Sequence, residues 1–502
     1  MSTTINETNK TITVGVTEAD QSKTVEVTGN HKHSNKTLLD TYTQTNADIS
    51  DAVDKKHSHA NKSLLDSYTQ SESDLAEAVS RMQSFNDVFE YLKIRLQTGR
   101  VDFVGIGDSN QINSGYGWDE GFHRALNNIG EMYATGLIST NENNANGGGT
   151  GYTYGFNGSQ PLLGAVSGAP SELDKYMITN LGVSKYAYLE SGTFGNGNNS
   201  GLLLNADSLL KPDVNTLRFH LNYGTFDNGA GSFRISIRLG QTPYTQKAQS
   251  SLISTNTGSF GMQVASIDMV PDPSYNTYVF NCKLTSTSNG ITAPYFSTYM
   301  RVEALERTIG WSYNTLIYKG GSSLRAMAYS LQQTTDESLI HFFEEVRRLQ
   351  GNLKTVVVCI NSGLNDRNET ESSVGPDIYT DGDGPDAFID NLSAIKIRID
   401  NIWNDQGWDT NELMYLVFGS HPISTPDDSE LISYRNAIKS YAKDFDNVKE
   451  VDISILTNEL EMNANSWYSS GGNEHLSQSG YYEISKRILS KTINDISPLI
   501  ES

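Results

Sequence analysis

Cysteine is almost missing: the 502 residues contain two, Cys282 and Cys359, too few for the disulfide frameworks that hold small secreted domains together. Cys359 lies in the apolar run TVVVCI, where a thiol behaves as a small hydrophobe, so packed cores rather than cross-links have to carry stability. Positive charge is scarce as well. Lys and Arg number 37 against 59 Asp and Glu, a net charge of −22, which repels phosphate backbones and leaves no basic stripe for nucleic acid. No stretch approaches 18 consecutive apolar residues, so membrane insertion is not expected. The opening residues, MSTTINETNKTITVGVTEAD, have neither the basic nor the apolar region of an ordinary export signal, and a soluble protein is expected.

What is present is length enough for two or more cores, and a sequence that changes character along its course. Residues 1–29 are rich in Thr and Val with weak alternation, as in a short strand segment or an attachment end. A repeat follows: NHKHSNKTLLDTYTQTNADISDAV (30–53) recurs as KKHSHANKSLLDSYTQSESDLAEAV (55–79), a period of 26 residues that aligns His31 with His57 and Tyr42 with Tyr68. In and beyond the second copy Leu64, Tyr68, Ser71, Leu75, Ala78, Met82, Phe85, Phe89, Leu92 and Leu96 succeed one another by steps of four and three. That is a heptad seam, which predicts a coiled-coil stalk over 30–100; the alternative is one amphipathic helix lying on its own globular domain. His31, His33, His57 and His59 stand on alternate positions. Gathered from three chains they could cage a transition metal, and otherwise they are polar loop residues.

Between about 138 and 308 the composition turns to Gly, Asn, Ser, Thr and Tyr, and two-residue alternation takes over. NTLRFHLNY sets Leu217, Phe219 and Leu221 on one face, SFRISIRL does the same with Phe233, Ile235, Ile237 and Leu239, and MQVASIDM, NTYVFNCKL and TYMRVEAL follow. These read as an all-β module, a β-sandwich. The flanks differ. VDFVGIGDS comes before the module. After it come TLIYKG, a helix through 323–349, TVVVCI, a helix near 385–404, LMYLVFG, a helix near 429–445, and VKEVDIS. Apolar strands alternating with helices imply a largely parallel sheet covered on both faces. The simplest arrangement is an α/β domain made of 101–137 and 309–502, with 138–308 inserted between its first and second strands.

Chemistry-bearing residues fall at the ends of those strands. Gly107-Asp108-Ser109-Asn110 follows the first, Gly320-Gly321-Ser322 the second and Gly363-Leu364-Asn365-Asp366 the third, and His475 precedes the last helix. A strand followed by a tight turn lifts a hydroxyl to the rim of the sheet, where α/β folds keep their sites. A serine hydroxyl is a poor nucleophile unless a base lies within hydrogen-bond reach.

VGIGDSN, YKGGSS, INSGLNDRN and NEHLSQSGYYEISKRI resemble the four sequence blocks of SGNH, or GDSL-type, hydrolases, over about 230 of the 502 residues. The resemblance implies a flavodoxin-like three-layer sandwich and a serine esterase that needs no cofactor. It makes Ser109 the nucleophile and His475 its base. The N–H of Ser109, the N–H of Gly321 (with Gly320 as the alternative) and the amide of Asn365 become the oxyanion hole. One departure stands out: the family's acid lies three residues before the histidine, and that position is Gly472 here. Glu474 is the adjacent carboxylate and a candidate for the acid, although it is expected to point away from the ring. Asp366 reads as a brace of its own loop, and a backbone carbonyl could fix the tautomer instead. His421, in GSHPIST, is either a second cleft residue or a surface histidine.

The HxHSNK…LLD phrasing of the repeat resembles segments of bacteriophage tail-fibre and baseplate proteins. That resemblance implies a virion protein acting at the host surface, a homo-oligomer of three chains, and virion partners bound through the N-terminus. The substrate it suggests is acylated bacterial surface glycan, with O-deacetylation as the reaction and the Tyr- and Asn-rich insert suited to sugars. A non-catalytic adhesin on the same scaffold is the alternative from another class, and a lipase or thioesterase is a third.

Overall fold

Strands that are apolar at successive positions can only be satisfied with both faces covered. The computed structural model describes residues 2–6, 11–18, 21–27, 92–108, 110–111, 117–139, 153–157, 187–188, 201–205, 209, 213–225, 232–239, 245–275, 277–286, 296–318, 323–368, 384–424, 427–470 and 472–493. In it five such strands form one sheet: Arg100–Gly107, Gly310–Tyr318, Val356–Ser362, Leu413–Gly419 and Val448–Glu450. Their order across the sheet is second, first, third, fourth, fifth, and every pairing is parallel. That is the flavodoxin-like order, whose winding reverses between the first and third strands and leaves a crevice at their carboxyl ends.

Alternation along the strands divides two cores. Val101, Phe103, Val357, Cys359, Leu416 and Phe418 face helices Trp118–Leu126 and Gln478–Thr492. Val104, Ile106, Val358, Ile360, Tyr415 and Val417 face the helices Leu324–Gln333, Asp336–Arg347, Pro385–Asp405 and Ser429–Ala442. One expected element is corrected: the single helix over 323–349 is two. Thr334 and Thr335 take extended backbone, and the Thr335 side chain accepts from the N–H of Ser338. A threonine hydroxyl that caps the following turn outweighs helix propensity there.

Two antiparallel sheets lie in the chain between the first and second core strands. One runs Gln246–Gln249, Ser232–Leu239, Thr277–Ser286, Gly201–Asn205, Thr153–Asn157, with Ile253–Ser254 paired to Ser232–Leu239. The other runs Gly261–Met269, Leu217–Thr225, Phe296–Ala304, Ile138–Ser139, with Ala187–Tyr188 paired to Phe296–Ala304. Leu217, Phe219 and Leu221 share a core with Phe233, Ile235 and Ile237, and the rings of Tyr223 and Phe233 meet edge-on at 5.2 Å between the two sheets.

The chain divides into two units, Met1–Ala78 and Val79–Ser502. In the first, the strands Ser2–Asn6, Thr11–Glu18 and Gln21–Val27 form an antiparallel sheet. In the second, residues 92–98 are helical, and Leu92 and Leu96 are buried in the same core as Val101 and Trp311. The last two positions of the heptad seam therefore pack inward on their own domain, as the amphipathic-helix alternative requires. The earlier seam positions, Leu64 through Phe89, lie outside the described residues.

Candidate active site

The first core strand ends at Gly107, and the chain turns at once. Asp108 is fully buried, its Oδ1 accepts from Asn110 N at 2.7 Å, and its carbonyl accepts from Gln111 N at 3.0 Å. Gln111 tucks back beneath the strand. A Cβ on Gly105 would lie 2.1 Å from Gln111 Nε2, so any larger residue there would displace the Gln111 side chain from beneath the strand. Asn110 O then accepts from Trp118 N at 2.7 Å, which ties the turn to the next helix.

The third strand delivers its loop to the same place. Asn365 Nδ2 donates to Asp108 Oδ2 at 2.9 Å. Asp366 collects Ser362 Oγ at 2.7 Å, Gly363 N at 3.0 Å and Leu324 N at 2.9 Å. It thereby braces its own loop and also holds the first turn of the helix that follows the second core strand. Trp118 Nε1 donates to Asn361 Oδ1 at 2.8 Å and joins the first two of these regions from below.

His475 sits half-buried on a short strand, Gly472–Leu476, paired with Tyr468–Ser469. Tyr468 Oη donates to Pro422 O at 2.7 Å, Asn473 Nδ2 to Ile423 O at 3.1 Å, and His421 Nε2 lies 2.9 Å from Asn473 O. The loop after the fourth core strand thus clamps the histidine's strand. The helix Gln478–Thr492 follows, capped by Ser477, and its Tyr481 Oη donates to Asn110 Oδ1 at 2.6 Å.

Burial pushes the Asp108 carboxyl up to about 6, against the bonds from Asn110 and Asn365 that favour its charged form. Burial likewise takes His421 down to about 4, with the charges of His475 and Arg435 acting in the same direction, so its ring is neutral at pH 7.

Of the residues singled out by sequence, Asn365, Asp366, His421, Gly472, Glu474 and His475 are described. Ser109, Gly320, Gly321 and the histidines His31, His33, His57 and His59 lie outside the described residues. Both chain neighbours of Ser109 are placed, and each is bonded to another block: Asp108 to Asn365, Asn110 to Tyr481. Glu474 is 60% exposed at its side chain and accepts from Arg367 Nη2 at 3.1 Å. Gly472 has φ +134 and open space about it, a backbone conformation in which an acidic side chain would be strained. His421 is not the surface residue that a loop histidine before proline suggests, because Pro422 and Asn473 bind its loop inward. Asp108, Tyr481 and Arg367 were not singled out. Asp108 and Tyr481 lie inside the quoted blocks, but nothing local indicates that they bond across the site. Among the described residues no group of three or more His, Cys, Asp and Glu could hold a metal ion.

No protein-family model and no curated protein matches the chain. Among solved structures it is similar to a peptidoglycan O-acetylesterase, with TM-score 0.48 and 11% identity over 82% of this chain and 96% of that one. It is also similar to an acetyl xylan esterase from the rumen bacterium Butyrivibrio proteoclasticus, with TM-score 0.26 and 8% identity over 64% of this chain and 98% of that one. A third is a carbohydrate esterase whose active site displays divergent catalytic and non-catalytic binding functions, with TM-score 0.25 and 10% identity over 58% of this chain and 96% of that one.

Proposed function

We propose that the chain is a serine ester hydrolase of SGNH type that removes O-acetyl groups from bacterial surface polysaccharide. The observation that carries this reading is the pair of bonds that reach the two chain neighbours of Ser109, one from Asn365 and one from Tyr481, six residues beyond His475. Sequence blocks separated by hundreds of residues are tied to one turn at the carboxyl end of the sheet, where such folds keep their chemistry.

On this reading Ser109 Oγ attacks the acetyl carbonyl while His475 takes its proton. The oxyanion rests on the N–H groups of Ser109 and Gly321 and on the side-chain amide of Asn365. His475 returns the proton to the departing sugar hydroxyl, and water then releases acetate by the same route. With Gly472 where the family keeps its acid, a dyad does the work. The inserted module binds the glycan as a β-sandwich beside the site. The N-terminal segment attaches the protein to a phage virion, and three copies display several heads to one repetitive polymer.

Hydrolysis of p-nitrophenyl acetate tests the chemistry. Ser109→Ala and His475→Ala should each lower the rate by about 10⁶ with an unchanged unfolding midpoint. Light scattering of the full chain tests the assembly, and a mass of 55.2 kDa, one chain, would remove the trimer. The second reading, an adhesin that keeps the scaffold for binding, is favoured by Gly472. Equal background rates in the wild type and in Ser109→Ala would select it.

A further inference from the structure

A second serine-histidine-carboxylate arrangement lies on the antiparallel sheet of the insert, on the side toward helix Asp336–Arg347. Ser266 stands directly opposite His220 in the ladder, and Glu303 is two positions from Arg301, His220's partner on the next strand. Cross-strand neighbours of this kind share one face. Ser266 Oγ is 2.8 Å from His220 Nδ1, and His220 Nε2 is 3.0 Å from Glu303 Oε2. His220 and Glu303 are buried, whereas Ser266 is exposed.

An ionised carboxylate can only accept, so the ring proton belongs on Nε2, and the Nδ1 lone pair faces the serine hydroxyl at 2.8 Å, with the Arg348 guanidinium farther off at 3.5 Å. The bond from His220 and the charge of Arg100, whose Nη1 is 2.6 Å from Glu303 Oε1, hold Glu303 below the usual carboxylate range although burial opposes them. Burial holds His220 below its ordinary value against the pull of Glu303. The imidazole is therefore neutral at pH 7, the form in which Nδ1 can accept.

Beside this relay a cavity of about 300 Å³ opens between the same sheet face and the helix, lined by Met262, Val264 and Ile340 together with Asn222, His341 and three helix carboxylates, Glu337, Glu344 and Glu345. Met262, Val264 and Ser266 alternate along one strand, as Asn222 and His220 do along the other, so cavity and hydroxyl share a face. Arg348 Nη1, 3.5 Å from His220 Nδ1, brings to the same spot a guanidinium whose Nε donates to Glu345 Oε2 at 2.8 Å. The place is remote from the turn that follows Gly107. Arg100 opens the strand that Gly107 closes, so the two ends are about 23 Å apart at roughly 3.3 Å per residue.

We propose that Ser266, His220 and Glu303 form a second acyl-transfer site, for a short-chain ester whose acyl group occupies the Met262–Val264–Ile340 cavity. Ser266 Oγ bonds to the carbonyl carbon as its proton passes to His220 Nδ1. The bond from that carbon to the alcohol oxygen then breaks as His220 gives the same proton to the leaving oxygen. The products are the free alcohol and acyl-Ser266, which water cleaves by the reverse proton path to free acid and Ser266. Arg348 supplies positive charge for the oxyanion, and Glu303 is a positioning residue that fixes the tautomer.

The test is labelling of the full chain carrying Ser109→Ala with a fluorophosphonate probe, read by peptide mass mapping, so that its outcome is independent of the proposed role of Ser109. Ser266 should be labelled about a hundredfold faster than the exposed Ser251 and Ser254 of the same digest. The adduct should vanish with Ser266→Ala and slow by a similar factor with His220→Gln. Ser266 labelling no faster than Ser251 overturns the proposal, and that comparison requires no His220 variant to fold. So does an unchanged rate in a His220→Gln protein that still unfolds cooperatively. The charged groups around His220 are Glu303, Arg301, Arg348 and Asp268. Glu303→Gln should move the pH midpoint of labelling downward by removing the charge that supports the imidazolium, and a midpoint that stays in place overturns the assignment of Glu303.

Discussion

Two buried aspartates stand six residues apart on one run of chain, at opposite ends of the first core strand, and their surroundings differ. Asp102, at the amino end, receives Tyr133 Oη, Arg301 Nη2, Ser312 Oγ, Asn314 Nδ2 and Gln350 Nε2. Asp108, at the carboxyl end, receives the Asn110 amide N–H and the Asn365 side chain, with no guanidinium or ammonium among its bonds. Arg301 also donates to the carbonyls of Thr135, Glu345 and Val346. It fastens the inserted module to the parallel sheet through a fully satisfied charge. At the carboxyl end the buried acid is held by neutral donors, and burial keeps it partly protonated. The same residue type is an ion-paired staple where a cation meets it and a carboxyl that holds its proton to higher pH where only amides do.

That contrast can be broken most forcefully at the amino end. Arg301→Met leaves the Asp102 carboxylate buried without its cation and should lower stability by about 3–5 kcal/mol, read by urea unfolding. Esterase activity per folded molecule should survive. Asn365→Ala strikes the other end. It should lower the rate of p-nitrophenyl acetate hydrolysis by about 10²–10³ and change the unfolding midpoint far less than Arg301→Met does.

The protonation of Asp108 sharpens the comparison. Its carboxyl is raised from 3.8 to about 6, so between those pH values the folded protein holds a proton that the unfolded chain has released. Stability should therefore fall as pH rises through that window, by about 3 kcal/mol at most, and level off above it. Asp108→Asn should flatten the slope in denaturant titrations between pH 4 and 6. The smallest effect belongs to Glu474. Its ion pair with Arg367 is largely exposed, so Glu474→Gln should change stability by less than about 1 kcal/mol and leave the esterase rate within about twofold. A large loss of rate would make Glu474 the missing acid.

The parallel sheet was legible because VDFVGIG, TVVVCI and LMYLVFG are apolar at positions facing both ways, a pattern tolerated only between two layers of helix. The strands of the insert were legible through strict alternation, as in Phe233, Ile235 and Ile237. The division of the long helix at Thr334 and Thr335 was not, because a threonine inside a helical pattern and a threonine capping a new helix look alike until the backbone turns. Leu92 and Leu96 were misleading for a related reason. A heptad seam looks the same whether it meets a sister chain or its own domain.

Residue types, their periodicity and the chain order of four short motifs were enough to specify an α/β sheet interrupted by β structure, with polar groups at its strand ends, since these follow from local geometry and the need to bury apolar side chains. Which buried acid meets Arg301 and which meets Asn365, that His421 is enclosed while Glu474 is not, and that Ser266 lies against His220 depend on contacts between residues tens to hundreds of positions apart. Such pairings leave no periodic trace in a sequence. They exist once strand order and register have brought the partners within hydrogen-bond distance and excluded the water that would otherwise separate them.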